Sequence, residues 1–584
     1  MEDIAYRASL ATETGPSSIA IGNLRLLVKR KNTSVLKVVL MSIDGSRDQR
    51  PSRWTAICEV LLVVGVFFVY AGDPSPGINE SHYLVLAKNF WQPQWCSEDL
   101  FAASDKPHIL YHTTVGALTQ VFSLNTTAWI ARIIAWSLLA VGLRAVCRAV
   151  TDRDFACVLV AVVWIAGIDW FNFAGEWVVG GIEAKVPAYA LVLLAMSQMA
   201  RGRWVRVWPL LGLASAFHVL VGGWTVIAAM VAYLVVGRQV AKPTGQIIPL
   251  VVGGAIALVG LVPGLQMSAA TDPVQSIAAA KIYTYARLSH HLLPTSFPTL
   301  WYLRHAGLVV VTFLVVWPYR RDAHMKPLVW LAIGCLGIGI VGLGVGMLDY
   351  YSKEMAARLL RYYWFRSTDA MMPMTLGLGI AAMLRTAAWH CDAPSSHRDA
   401  TESLLVKTRF ILATLVSITG LVLYSYSAID NVRRGIPASA RYDVIAAGRR
   451  ESYDSQRDAF LDWQSVCHWI DQTFPDDEIF ITPRHQQTFK WFAQRAEVVN
   501  WKDVPQDADS LVQWYKRFFD VYPRRLGTVR VTIRYDELNR FRDQYGARFM
   551  VVDRRIMGDS LPLVKVYPID GININDTYAI YRLP

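Results

Sequence analysis

Residues Leu328 to Leu348 read LVWLAIGCLGIGIVGLGVGML, without one charged side chain. A helix rises ~1.5 Å per residue, so this run is long enough to cross the ~30 Å hydrocarbon core of a bilayer. It offers no polar face to water, and lipid is the solvent that suits it. Working outward, Ile247–Leu265 and Trp54–Tyr70 have the same character. Further apolar runs cover Trp129–Val146, Phe155–Phe171, Val186–Met199, Val207–Phe217, Val219–Val236, Ala306–Trp317, Ala370–Leu384 and Phe410–Tyr424. The chain is therefore expected to be a polytopic α-helical membrane protein with about eleven spans.

Composition agrees: 53% of the 584 residues are hydrophobic. The formal net charge of +12 invites a nucleic-acid reading, but the cations sit at the ends of apolar runs and form no basic stripe with interleaved aromatics. Arg47 to Arg53, Arg144 to Arg153, Arg201 to Arg206, Arg238 with Lys242, Arg320 to Lys326, and Arg385 to Arg409 fall on alternate loops. Positive charge is retained on the cytoplasmic side, so those loops are expected there and the carboxyl terminus outside. Of the seven cysteines, only Cys96 and Cys467 lie in segments read as external, which leaves one pair able to form a disulfide. The first forty residues hold no span, and Met41 precedes the basic stretch Arg47, Arg50, Arg53, which makes it a candidate start of translation.

Three organisational pieces follow. Residues 1–53 form a basic cytoplasmic segment, 54–427 a transmembrane part with a large first outer loop at 73–128, and 428–584 an extracytoplasmic domain. In that last piece the pattern predicts helices over Phe460–Phe474, His485–Arg495, Asp507–Phe519 and Asp536–Tyr545. It predicts strands over Glu478–Thr482, Glu497–Trp501, Arg548–Val552 and Tyr578–Leu583. Strands alternating with helices give a small soluble α/β domain.

The first outer loop opens with Asp73, Asn79, Glu80, Ser81, His82 and Tyr83, and continues to Glu98, Asp99, Asp105, His108 and His112. A carboxylate just above the membrane suits general-base chemistry, because nearby burial raises its pKa toward neutrality. Glu80 is the preferred base; the alternative is an ordinary solvated acid. Asp105, His108 and His112 have the spacing to hold a metal on one helix face, but without a fourth ligand they read better as polar interface residues. No metal and no cofactor are expected. The outer piece before the tenth run is unusual: Lys353, Arg358, Arg361 and Arg366 crowd it, and Arg361-Tyr362-Tyr363-Trp364-Phe365-Arg366 mixes guanidinium with aromatics. Cations on the wrong side of a membrane call for an anion, and arginine grips phosphate through two parallel hydrogen bonds. The competing reading is an interfacial aromatic belt whose arginines meet lipid headgroups. His290 and His291 on the second outer piece are candidates for the same anion. Glu176, Glu183 and Lys185 read as structural interfacial groups. No Walker loop, HExxH or nucleophile elbow is present in the sequence.

These features together resemble the GT-C superfamily of membrane glycosyltransferases, nearest to an uncharacterised bacterial branch. The stretches that carry this are Glu183-Ala184-Lys185, Phe217-His218-Val219-Leu220, Tyr362-Tyr363-Trp364-Phe365-Arg366, Thr482-Pro483-Arg484 and Asn500-Trp501-Lys502. The resemblance implies a polyprenyl-phosphate sugar as donor, transfer with inversion at the outer face of a bacterial inner membrane, and an acceptor of unstated class. The family's acidic pair reads Asn79-Glu80 here, which leaves Glu80 as sole base. A second family acid maps to Asp99 or Asp105, and the lipid-phosphate arginine to Arg361 or Arg366. Two rivals are a flippase or transporter of lipid-linked glycans, and a non-catalytic membrane protein with a ligand-binding outer domain. The enzymatic reading requires Glu80, Asp99, Arg361 and Arg366 to meet in one outward cavity.

Overall fold

The structure, a computed structural model, describes residues 52–391, 400–442, 451–522, 534–558, 561–570 and 572–584. Contacts divide the chain into Met1–Cys58 and Glu59–Pro584. Of the first unit only the start of one helix is described, and Met41 with the segment before residue 52 lies outside the described residues. Everything that follows concerns the second unit.

Numbering the longer helices, α1 is Arg53–Ala71, α2 Glu80–Trp91, α3 Leu124–Val150, α4 Ala156–Phe171, α5 Lys185–Ala200 and α6 Trp204–Phe217. Then come α7 Val219–Val235, α8 Ile247–Ala270, α9 Thr299–Val316, α10 Met325–Met347, α11 Arg366–Cys391 and α12 Ala400–Arg434. Each expected apolar run falls on one of these helices. Among the described residues, α1, α3, α8, α9, α10 and α12 are long and apolar enough to cross a membrane, while α4 to α7 are apolar but shorter. The apolar surfaces of α8 and α12 face outward: Val251, Leu258, Ile418 and Val422 are all exposed. A water-soluble protein would bury such faces, so this is a multi-pass integral membrane protein. Between helices the contacts rely on small residues. A Cβ at Gly212 of α6 would stand 2.2 Å from the Gly253 carbonyl oxygen of α8, so only glycine permits that approach.

The cation-rich loops are tied at one end of the bundle. Glu59 of α1 accepts from Arg144 and Arg148 of α3 and from the Phe155 amide. Arg385 of α11 pairs with Asp322, and His324 hydrogen-bonds to the Ala200 carbonyl.

The carboxyl-terminal part adds α13 Tyr453–Thr473, α14 Phe489–Ala493, α15 Ala508–Val521 and α16 Tyr535–Tyr545, with β1 Ile479–Ile481, β2 Ala496–Glu497, β3 Phe549–Asp553, β4 Val564–Tyr567 and β5 Tyr578–Arg582. The strand order is β2-β1-β3-β5-β4; β1 runs parallel to β2 and β3, and β5 antiparallel to β3 and β4. Alternate residues of β3 point to opposite faces, as a pleated strand requires. Phe549 and Val551 join Trp463, Phe480 and Ile580 on one side, whereas Met550 and Val552 join Trp514, Phe518 and Tyr581 on the other. A sheet covered on both faces explains why β3 carries an unbroken apolar run rather than an alternating one. The predicted strand over Glu497–Trp501 is cut short because the Asn500 side-chain oxygen accepts from the Lys502 and Asp503 amides, which turns the chain away. Strand β4 was not predicted. Cys96 and Cys467 are buried and free, so the disulfide reading is corrected.

The α/β part docks on α2 and the segment that follows it through a buried ion network. The Lys490 ammonium lies 3.1 Å from Asp99, 2.6 Å from Glu497 and 2.5 Å from Asp503, and His82 lies 2.9 Å from Asp503. Burial, opposed by Lys490, pushes Glu497 up to about 7, whereas Lys490 and His82 together hold Asp503 well below the usual carboxylate range. Apolar contacts extend the junction: Ala278, Ala279 and Ile282 of the second outer piece pack with Leu511 and Trp514. Removing Lys490 takes from three buried carboxylates the cation they share. Lys490→Met is therefore expected to destabilise the junction by about 3–5 kcal/mol, read as a lowered melting temperature and faster proteolysis of the carboxyl-terminal part. A change below about 1 kcal/mol would contradict the network's role.

Candidate active site

The amino end of α11 organises one end of the bundle. Arg366 places its Nε 2.5 Å from Glu176 and its Nη1 3.3 Å from His218, and its guanidinium lies 4.2 Å above the Tyr363 ring. One helical turn on, Asp369 accepts from the Phe173 and Ala174 amides at 3.1 and 3.0 Å. Two side chains of one helix thereby fasten the loop between α4 and α5. Further ties are His291 Nδ1 to the Ala174 carbonyl at 2.6 Å and His305 Nδ1 to the Phe171 carbonyl at 3.0 Å. Tyr363 has φ 53°, in the left-handed region that costs a non-glycine residue ~1–3 kcal/mol. That conformation sets its hydroxyl 3.0 Å from Tyr283.

The same loop ends in Glu183 and Lys185. The Lys185 ammonium stands 3.5 Å from Glu176 and 3.4 Å from Glu183, over the Trp177 ring. Glu183 is buried, and its Oε1 has no hydrogen-bond partner among the described residues. Burial raises its pKa; Lys185, an Asn79 hydrogen bond and Arg366 act against that shift, while Glu176 adds to it. Tyr83 shares the electrostatic environment of Glu183, Arg366 and Glu176. His108 stacks on His218 at 5.3 Å and on Tyr83 at 5.4 Å.

A second layer comes from the α/β part. Arg287 donates to the Trp501 carbonyl at 3.1 Å, and Arg484, Lys502 and Arg287 all act on His485. Burial first, then those cations, pushes His485 down to about 3. His290 is likewise pushed down to about 3 by burial, with Arg287 and Lys502 contributing. Arg287 also acts on Tyr363, and Arg366 on His291, so the two layers share one electrostatic space. Acids, cations and tyrosines are therefore gathered in one region. Such a site can hold an anionic group and take a proton beside it.

Several expected site residues stand elsewhere. Glu80 is fully buried and saturated: Oε1 accepts from Arg132 Nε at 2.8 Å and the Ile182 amide at 2.7 Å, Oε2 from Arg132 Nη2 at 2.5 Å and the Gly77 amide at 2.8 Å. Four donors leave no lone pair aimed at a substrate, so in this arrangement Glu80 anchors the loop carrying Glu183. Asp99 accepts from the Phe101, Ala102 and Glu497 amides and pairs with Lys490, which makes it part of the docking network. Asp105 meets Asp507 through its amide, and His112 stacks on Phe90, away from His108's partner. Lys353 is exposed, Arg358 pairs with Glu354 at 3.3 Å on an exposed helix face, and Arg361 lies over the neighbouring Tyr362 ring. Of the four residues required to converge, Arg366 alone is in the cluster. His290 and His291 do border it, but as neutral rings rather than cations: burial holds both well below their ordinary value. His291 Nδ1 faces a carbonyl and so carries the proton, which leaves Nε2 as an acceptor.

Glu176, Glu183 and Lys185 had been read as structural. Three ionisable groups within ten residues at a membrane boundary were the available signal. Arg132, early in the second apolar run, was another, since a buried guanidinium requires a buried acid.

Residues 461–521 match a family model described as a domain of unknown function, DUF6798. No curated protein matches the chain. Among solved structures, the chain is similar to ArnT from Cupriavidus metallidurans bound to undecaprenyl phosphate, with 12% identity and a TM-score of 0.45 over 92% of this chain and 99% of that one. The same protein in the apo state gives 13% identity and a TM-score of 0.48 over 91% and 98%.

Proposed function

We propose that this protein is a GT-C-type membrane glycosyltransferase that moves a sugar from a polyprenyl-phosphate donor to an acceptor at the outer face, with inversion. The observation that carries the reading is the presence, about the loop between α4 and α5, of an acid with an unengaged oxygen, Glu183, and of a part-buried guanidinium, Arg366, whose charge acts on it. In the proposed step an acceptor hydroxyl oxygen attacks the anomeric carbon as the bond from that carbon to the phosphate oxygen breaks. The hydroxyl proton passes to Glu183, and the lipid phosphate departs with its negative charge. Arg366, with Arg287 and Lys502 at the rim, stabilises the charge that grows on the phosphate, which is where fixed cations in a water-poor site contribute most. Tyr363, whose ring lies under the Arg366 guanidinium, and Tyr83 would pack against the sugar.

This reading moves the base role from Glu80 to Glu183 and explains Asn79. The family's first acid is replaced by an amide, and that amide hydrogen-bonds to Glu183, an acid supplied by another loop. The expected partners are otherwise unchanged: a lipid-phosphate sugar donor, membrane lipids and an acceptor of undetermined class.

Membranes containing the protein, given radiolabelled polyprenyl-phosphate sugars, test the assignment. Glu183→Gln is expected to lower transfer by about 10²–10⁴-fold with little loss of folded protein. Glu80→Gln is expected to lower the yield and melting temperature along with activity, because it weakens a buried pair. Full transfer by Glu183→Gln would remove it from the mechanism. The pH profile carries a separate check. A base must be ionised, and burial lifts the pKa of Glu183, so transfer should rise with pH along a limb displaced above the ordinary glutamate range. A limb at the ordinary glutamate position would contradict the burial argument.

A further inference from the structure

A cleft of about 580 Å³ opens where the outer ends of α1 and α3 meet α13 and α14, apart from the Arg366 cluster. Its size lies within the ~300–1,000 Å³ usual for ligand sites. Four aromatic rings line it, Trp129, Phe460, Trp491 and Phe492, and between them stand the side chains of Asn125, Gln464 and Gln494. Every lining residue is uncharged. The cations nearest to it are already engaged: Arg132, over the Trp129 ring at 4.8 Å, is committed to Glu80, and Lys88 donates to Gln494 at 2.5 Å.

We infer that this cleft binds a neutral saccharide, the sugar portion of the acceptor. The inference deepens the proposed transfer reaction and rests on it for the word acceptor. A phosphate or carboxylate would find no charge to meet. An acyl chain would find its apolar path broken by five polar residues among the twelve that line the cleft. A pyranose suits both features, because its C–H face is attracted to the negative face of an aromatic ring and its hydroxyls match the Gln464 amide, which donates and accepts. Gln494 is spent on Lys88 and two carbonyls, and the Asn125 oxygen accepts from Ser75. The place suits an external glycan as well: Gly72 directly follows α1, and Leu124 and Trp129 begin α3, so the cleft lies at the outer boundary of two spans.

The test uses the full chain in lipid nanodiscs, titrated with maltotetraose, cellotetraose, mannotetraose and chitotetraose and read by tryptophan fluorescence and calorimetry. Asn125 is exposed and Phe460 and Gln464 are half-buried, so replacing them leaves the core intact. Saturable binding of at least one neutral tetrasaccharide is expected, weakened about tenfold or more in Gln464→Ala and in Phe460→Ala and unchanged in Glu183→Gln. If such binding is found while no variant or wild type transfers sugar, the cleft stands and the transfer reading falls. If transfer from polyprenyl-phosphate sugars proceeds in membranes, but no tetrasaccharide binds and Gln464→Ala and Phe460→Ala transfer at the wild-type rate, the cleft assignment is overturned and the transfer reading survives. Binding unaffected by both cleft variants would also overturn it.

Discussion

The constraint on which the site depends is the neutralisation of Arg366. A guanidinium taken out of water at a membrane boundary is costly unless an acid meets it. Glu176 does so as an ion pair at 2.5 Å. To bring Glu176 there, the loop between α4 and α5 must be folded back over α11, and Asp369 performs that task by binding two successive amides. Once the loop is held, Glu183 and Lys185 have no freedom to turn toward solvent. The site is thus a consequence of satisfying one buried charge and two backbone donors.

A second ion pair repeats the logic deeper in the first outer loop. Arg132 grips Glu80 through two nitrogens and donates a third bond, at 2.8 Å, to the Asp73 carbonyl. Gly181 makes the approach possible: a Cβ there would lie 3.0–3.2 Å from three atoms of Glu80. The loop that carries Glu183 is therefore pinned on both sides, by Arg366 through Glu176 and by Glu80 through the Ile182 amide. Preorganisation of this kind keeps a charged site from relaxing around its substrate, and much of electrostatic catalysis depends on it.

Much of the fold could be read from the sequence because lipid accepts only continuous apolar helices, and those runs are conspicuous in any chain. The tail's helices were equally readable where an amphipathic face was long, as in α13 and α15. The edge strand β4 was not, since Val564 and Lys565 are exposed and only Val566 and Tyr567 of its four residues meet the core. At the site, Arg366 was recognised because cations on the outer side break a general rule. Glu80 was read as the general base, but its partner Arg132 lies 52 residues away, and no local pattern announces that pairing. Without it, a saturated anchoring carboxylate and a poised base look the same in one dimension. Glu183 was passed over for the complementary reason: beside Lys185 it resembles an ordinary surface pair, and only the three-dimensional burial shows that one of its oxygens is left unengaged.

The account turns on where the donor's phosphate rests. A structure of this protein with a polyprenyl phosphate bound measures that directly. The phosphate is predicted within hydrogen-bonding distance of Arg366, facing Glu183 and under Arg287 and Lys502. A phosphate held instead by Lys353, Arg358 or Arg361, with the Arg366 cluster unchanged and empty of ligand, would contradict it.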